Sequence, residues 1–184
     1  MQRSFWSRFV RNRPAAFGLA FLACVVAIAL GAPLAFPGDP FRIVDKTFLA
    51  PFGAYLFGTD SLGRDIAAGI AHGGRTSLMV GLVATIVAVS IGTLLGAFAG
   101  FYRGWIDDAL MRFTEFFQTI PTFLFAIVLV AIMSPSRGSI ILAIAVISWP
   151  PIARLVRGEF MAMREREFVQ AAICLGMTDS AIIF

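Results

Sequence analysis

The chain has 184 residues, of which 59% are hydrophobic and only 14% are charged, whereas a typical soluble domain carries about 25% charged residues. Its net charge of +4 comes from basic residues that flank long uncharged runs, which favours membrane orientation and argues against nucleic-acid binding. Cys24 lies in an apolar run, Cys174 lies in a polar segment and the sole histidine, His72, has no Cys or His nearby, so we expect no disulfide, metal site or cofactor.

Four apolar runs predict an all-α, polytopic membrane helix bundle. The first run has twenty residues without a charge, enough to cross a hydrocarbon core of about 30 Å. A secretory signal would have an apolar core of only about 7–15 residues, so we interpret this run as a retained helix. The predicted organisation is a cytosolic segment 1–16, transmembrane helices over 17–36, 76–101, 109–133 and 139–156, an outer segment 37–75 with a short interfacial helix, and a cytosolic segment 157–184.

The second run carries glycines at helical spacing. Gly92, Gly96 and Gly100 form two overlapping GxxxG patterns, which allow two helix backbones to approach closely in lipid. The alternative is that glycine is simply frequent in membrane helices. We favour packing against another helix.

Prolines lie in the third and fourth runs. Pro121 is expected inside a continuous helix, where neighbouring helices and water can satisfy the freed carbonyl. Pro150 and Pro151 should kink the fourth helix or end its regular hydrogen bonding. This run spans the bilayer only if Arg154 and Arg157 extend their side chains to the interface.

The distribution of arginine predicts the orientation. If the four runs alternate, the N-terminal segment with Arg3 and Arg8, the loop 102–112 and the segment 154–167 share one side, and all are rich in Arg. The charges of the outer segment largely cancel. The positive-inside rule therefore places the N-terminus in the cytosol.

The outer segment contains a predicted helix start. Thr59, Asp60 and Ser61 offer N-cap side chains, and apolar residues follow at i, i+4 spacing from Leu62 to Ile70. A short helix at the outer interface would follow. It would either connect two spans or border the outer mouth of a pathway.

The C-terminal segment predicts a helix, a glycine corner and a second helix. Gly176 suits the left-handed position that ends a helix, and Thr178 or Asp179 can cap the next one. The segment is either an ordinary amphipathic loop or, as we favour, a docking element for a cytosolic partner.

Motifs for catalysis are missing from the sequence. It contains no GxSxG, HExxH or Walker A motif and no paired carboxylates within the apolar runs. Glu115 is expected to pair with Arg112 at i, i+3. Because an ion-coupled carrier keeps ionisable groups at mid-membrane depth, we expect any energy for transport to come from outside the chain. A channel, a secondary carrier, an intramembrane enzyme and a structural scaffold are the rival classes.

Two segments carry longer motifs. The outer segment has Gly58, Thr59, Asp60, Gly63, Arg64 and Asp65 in the pattern G-T-D-x-x-G-R-D, and the cytosolic segment has Gln170, Ala171, Ala172 and Gly176, close to the pattern E-A-A-x-x-x-G. Both patterns resemble those of a known family, the inner-membrane permease subunits of binding-protein-dependent ABC importers in the dipeptide, oligopeptide and nickel group. Weaker similarity over residues 99–107, 120–121 and 149–157 extends the resemblance to essentially the whole chain.

The resemblance implies a permease subunit, itself not an enzyme, that forms part of a peptide pathway in the bacterial inner membrane. Its implied partners are a second homologous permease subunit, two cytosolic ATP-binding subunits, an extracytoplasmic substrate-binding protein and the lipid bilayer. It would couple to the ATPase through the loop 168–179. The implied coupling residues are Glu167, Phe168, Gln170, Ala171, Ala172, Gly176 and Asp179.

The sequence departs from the family pattern in two ways. Gln170 stands where the family has Glu, which removes one charge from the expected ATPase contact. Family members also continue into two further membrane helices, so we expect a C-terminally truncated chain with four of six transmembrane helices. A permease for nickel or another small solute and a non-transporting remnant are the alternatives to a peptide permease.

Overall fold

The structure, a computed structural model, describes residues 9, 11–134 and 136–183. These residues form helices and connecting segments with two isolated β-bridges and no strand, so the all-α prediction is confirmed. One compact unit ends at Met79 and a second begins at Val80. Arg3 and Arg8, which contribute to the predicted orientation, lie outside the described residues.

Among the described residues, three helices are long and apolar enough to cross a bilayer, and a bent helix pair would add a fourth crossing if it is one broken span. The three are α1, α2 and α5, and the bent pair is α3 with α4. The helix bounds are α1 (Arg13–Ala35), α2 (Ile66–Tyr102), α3 (Gly104–Thr119), α4 (Thr122–Ile132), α5 (Arg137–Arg164), α6 (Glu167–Cys174) and α7 (Asp179–Ile183).

Helix α2 is longer than the sequence indicated. It begins at Ile66 and runs for 37 residues, so the predicted interfacial helix and the predicted span over 76–101 are one helix. Gly73 and Gly74 do not interrupt it, because a glycine in a helix costs only about 1 kcal/mol. His72, which belongs to the predicted outer segment 37–75, lies in α2 with its ring Nε2 3.0 Å from the Phe36 carbonyl oxygen.

The third predicted helix is broken in the structure. Helices α3 and α4 meet at an angle of 82°, and the residue between them, Ile120, has extended backbone angles of φ −83° and ψ 127°. Steric conflict with a following proline disfavours the helical conformation, and Pro121 follows Ile120. The prediction of a continuous helix over 109–133 was therefore wrong.

Helix α5 passes through its proline pair without ending. It extends from Arg137 to Arg164 with Pro150 and Pro151 inside it. The helix therefore does not end at these residues, and the predicted kink stays a prediction. Pro150 is almost completely buried. Close packing around a proline in a membrane helix helps the chain to tolerate its missing N–H.

The glycine stripe of α2 packs against α5. A β-carbon at Gly92 would lie 2.8 Å from the Trp149 carbonyl oxygen, one at Gly96 would overlap the Ala153 carbonyl oxygen, and one at Gly100 would lie 2.6 Å from the Arg157 carbonyl oxygen. This contact confirms the predicted helix packing and identifies the partner helix. The glycines of α2 and the residues that they contact on α5 both advance by four positions in the same direction. This part of α2 and α5 are therefore parallel and end on the same side.

Aromatic side chains fill the space beside this helix pair. Trp149 is buried with Ala88 and Ala153. Its indole stacks on Phe113 at a centroid distance of 5.7 Å and meets the edge of Phe117 at 5.3 Å. Helices α3 and α5 are thereby fixed to one another next to the glycine contact.

Candidate functional site

Two segments singled out by the sequence form compact structures: the elbow, which comprises α6, the Gly176 corner and α7, and the outer segment before α2. The elbow begins directly after α5, with Glu165 capping α5 and Arg166 preceding α6.

Gly176 closes the elbow corner in the way the sequence predicted. Its φ of 74° is left-handed, its N–H donates to the Ile173 carbonyl oxygen at 3.0 Å, and the Met177 N–H donates to the Ala172 carbonyl oxygen at 3.2 Å. These two bonds are those of a Schellman motif, which satisfies carbonyls at the helix end. Thr178 then starts α7, because its carbonyl oxygen accepts from the N–H groups of two residues in that helix.

The elbow exposes large apolar side chains. Val169 is buried, whereas Phe168 and Leu175 are 67% and 83% exposed and Met177 is also exposed. Three such side chains on one short protrusion form a surface that a partner can cover. Glu167 lies in the first turn of α6 and Asp179 in the first turn of α7, so acidic groups lie at both helix starts.

Gln170, the residue that departs from the family pattern, has a partner within the chain. Its side-chain Nε2 donates to the Arg164 carbonyl oxygen at 2.8 Å. This bond joins α6 to the last turn of α5. A glutamate carboxylate has no N–H to donate, so the bond needs the amide.

The glycines of the outer motif hold the loop in left-handed conformations. Gly58 and Gly63 have φ of 72° and 74°. A β-carbon would strike the Leu49 carbonyl oxygen at the first position and the Asp45 carbonyl oxygen at the second. Only glycine fits these two close approaches without strain.

Thr59 joins the two sides of the outer loop. Its buried hydroxyl donates to the Lys46 carbonyl oxygen at 2.6 Å and accepts from the Leu49 N–H at 2.9 Å. Buried hydroxyls need such partners, because an unsatisfied one costs about 1–3 kcal/mol. Thr59 is therefore a loop-closing residue and does not cap a helix as predicted.

The acidic residues of the outer motif bind backbone N–H groups. The Asp60 carboxylate accepts from the Leu62 and Arg64 N–H groups. The Arg64 N–H bond lowers the pKa of Asp60 below its ordinary value of 3.8, with further lowering from the Leu62 N–H and the Arg64 charge. Asp65, and not Thr59 to Ser61, caps α2, because its carboxylate accepts from the Ala67 N–H at 2.9 Å. Most of the motif therefore serves the loop and the helix start.

Two ion pairs at the end of α5 were not expected from the sequence. Arg157 donates through Nε and Nη2 to both carboxylate oxygens of Asp107, at 2.5 Å each, and Arg103 donates to Glu165 at 2.6 Å. The partners are 50 and 62 residues apart, so no local spacing rule links them. The predicted pair of Glu115 with Arg112 is not among the ion pairs of the described residues.

Metal binding has no support in the part of the chain that the structure describes. There, no three His, Cys, Asp or Glu side chains are grouped closely enough to hold a metal ion.

Comparison with known proteins identifies the family. Residues 92–184 match the binding-protein-dependent transport system inner membrane component family. The chain belongs to this family. Residues 2–54 of this inner-membrane component also match the N-terminal transmembrane domain of oligopeptide transport permease C.

Curated relatives match almost all of the chain. It is 38% identical to the glutathione transport system permease protein GsiD of Pectobacterium atrosepticum, over 99% of this chain and 61% of that protein. It is 38% identical to the oligopeptide transport system permease protein OppC of Haemophilus influenzae, over 98% of this chain and 60% of that protein. It is 37% identical to the dipeptide transport system permease protein DppC of Alkalihalophilus pseudofirmus, over 99% of this chain and 60% of that protein.

The chain thus spans about three fifths of the length of these relatives. The family and the long apolar helices place it in the inner membrane as a multi-pass protein. The family resemblance read from the sequence is confirmed.

Proposed function

We propose that this chain acts as a permease subunit of an ATP-driven importer and forms part of the transmembrane pathway for peptides. It is a transport subunit and not an enzyme, and the elbow couples it to a cytosolic ATPase. The observation that carries the proposal is the exposed apolar surface of Phe168, Leu175 and Met177 on the elbow. The named relatives, which are permeases for glutathione, oligopeptides and dipeptides, support the peptide cargo.

The proposed partners are those that the family resemblance implies. Two cytosolic partner subunits bind ATP, for which this sequence has no phosphate-binding loop. A second homologous permease subunit completes the pathway, and an extracytoplasmic binding protein delivers the peptide. The helix bundle then needs two states that bind the ATPase differently, because a partner can shift an equilibrium only by its difference in affinity for the two states.

The elbow faces the cytosol in this proposal. The parallel packing of α2 and α5 brings the α2 end, the α5 end and the elbow to one side. The segments there carry Arg103, Arg154, Arg164 and Arg166, as the positive-inside rule requires of a cytosolic side.

The test is reconstitution of the full chain in proteoliposomes with a homologous permease subunit, the ATPase subunits and the binding protein. We expect ATP-dependent uptake of a labelled dipeptide or a short oligopeptide. We expect it to be lost with Gly176→Val, because a β-branched residue is an outlier at positive φ, and retained with Gly176→Asn, because Asn tolerates this region.

Three results would contradict the proposal. Uptake without ATP would indicate a carrier or channel, and uptake of a nickel complex in place of peptides would reassign the cargo. Normal uptake by Gly176→Val would remove the coupling role of the elbow.

A further inference from the structure

Two ion pairs join the junction of α2 and α3 to the end of α5. Arg103, the residue between α2 and α3, pairs with Glu165, which caps α5, and Asp107 in the first turn of α3 pairs with Arg157. Arg103 also donates to the Met161 carbonyl oxygen at 3.1 Å. We call these four side chains, Arg103, Asp107, Arg157 and Glu165, the brace.

The Arg157–Asp107 pair of the brace has the geometry of a strong interaction. Both carboxylate oxygens of Asp107 accept from Arg157, and the side chain of Asp107 is only 9% exposed. A bidentate contact fixes the relative orientation of two groups as well as their distance. The Arg103–Glu165 pair is more exposed.

Arg103 occupies a backbone conformation that does not suit arginine. Its angles are φ 56° and ψ −168°, close to a region that is essentially reserved for glycine. A non-glycine residue persists there only when its surroundings hold it. The side chain of Arg103 keeps the residue in this conformation through its bonds to the Met161 carbonyl oxygen and the Glu165 carboxylate. These bonds offset the backbone strain.

The brace lies between the glycine contact and the elbow. Arg157 belongs to the stretch of α5 that packs on Gly100. Glu165 caps α5 and is followed by Arg166, the N-cap of α6. A displacement of α6 reaches the end of α5 through the chain and through the Gln170 bond to Arg164, and the brace ties that end of α5 to the junction of α2 and α3.

We propose that the brace positions the elbow and transmits its displacement from the end of α5 to the junction of α2 and α3. Its four members are positioning residues, because they act through the elbow. The expected effect on transport rests on the proposed function, whereas the expected effect on the position of the elbow concerns this chain alone. Neither consequence requires the brace to supply most of the folding stability.

The positional test measures distances in the full chain in lipid nanodiscs. Nitroxide labels are placed on the native Cys174, which is exposed in the elbow, and on Ala109→Cys in α3, with Cys24→Ser as background. Pulsed electron paramagnetic resonance then gives the distance distribution between the two labels. We expect Arg157→Gln and Arg103→Gly to broaden it.

The Arg103→Gly variant separates positioning from folding. Glycine relieves the backbone strain while it deletes both side-chain contacts, so we expect unchanged or higher thermal stability together with a broader distribution. A residue with only a structural role would not give this combination. The matched control is Arg154→Gln, which removes the same charge from α5 at a position without an ion pair among the described residues.

The coupling test uses the reconstituted transporter and measures peptides taken up per ATP hydrolysed. We expect this ratio to fall at least about fivefold in Arg157→Gln, the lower end of typical coupling between sites, and to recover in the charge-swapped double variant Asp107→Arg, Arg157→Asp. A wild-type assembly that takes up no peptide would refute the proposed function and leave the distance test standing. Unchanged distance distributions in both Arg157→Gln and Arg103→Gly would overturn the brace, even if transport is normal.

Discussion

The contact between the glycine stripe and α5 predicts that one methyl group at Gly96 destabilises the protein. In Gly96→Ala the added β-carbon would overlap the Ala153 carbonyl oxygen and lie 3.0 Å from the Arg157 backbone nitrogen. Both atoms belong to the backbone, so no side-chain rotation can relieve the contact. The two helices must move apart.

The magnitude follows from comparison with a second glycine of the same helix. Gly81 has open space around its β-carbon position. Replacing glycine by alanine in a helix favours folding by about 0.5–1 kcal/mol, and this gain is common to Gly81→Ala and Gly96→Ala. Overpacking costs about 1–3 kcal/mol and applies only to Gly96→Ala. We therefore expect the free energies of unfolding of the two variants to differ by about 1–3 kcal/mol.

Trp149 provides the assay. Its indole is 4% exposed beside the helix contact, so separation of α2 from α5 should move its fluorescence to longer wavelength. In a Trp6→Phe, Trp105→Phe background, unfolding is followed by titration of mixed micelles with denaturing detergent. The native emission maximum reports the packing, and the midpoint reports the stability.

Equal stability of Gly96→Ala and Gly81→Ala would refute the close approach of the two helices. The same conclusion would follow if Gly96→Ala were more stable than the wild type with an unchanged emission maximum. Gly96→Ala must be the less stable variant for the parallel α2–α5 packing to stand.

Three further predictions concern the outer loop and the elbow. Thr59→Val should destabilise the outer loop by about 1–3 kcal/mol, measured by hydrogen exchange, and Thr59→Ser should restore it. Because folding lowers the pKa of Asp60, the ionised carboxylate stabilises the loop at neutral pH, and this stabilisation is lost as the pH falls below about 4. Limited proteolysis of the loop should therefore accelerate at acidic pH in the wild type. It should depend less on pH in Asp60→Asn. Gln170→Glu removes the donor to the Arg164 carbonyl oxygen and should broaden the distance distribution between labels at Cys174 and Ala109→Cys. An unchanged distribution would show that this bond does not hold α6.

The fold class could be predicted because lipid imposes a simple rule on the sequence. A backbone in hydrocarbon must satisfy its own hydrogen bonds, so long uncharged runs predict helices. The left-handed corner at Gly176 was also predictable, since it depends on neighbouring residues alone. The GxxxG spacing predicted a packing face but could not name α5 as its partner.

The local errors have physical causes of two kinds. The break at Ile120 follows from a steric rule for residues before proline, which should have outweighed the expectation that a membrane helix tolerates Pro121. The continuity of α5 through Pro150 depends on burial, which single residues do not reveal. The helix cap was assigned to Thr59, Asp60 or Ser61 and belongs to Asp65, because both residue types cap helices and only the folded loop shows which carboxylate or hydroxyl meets which N–H.

The sequence by itself determined the membrane class, the order of the spans, the glycine corner and the family, because each depends on composition or on residues close together in the chain. The tertiary structure decided which groups meet over long separations. Asp107 and Arg157 are 50 residues apart, and two charges at that separation have no defined distance until α3 packs against α5. Their pairing is therefore a property of the folded helices and not of any local pattern.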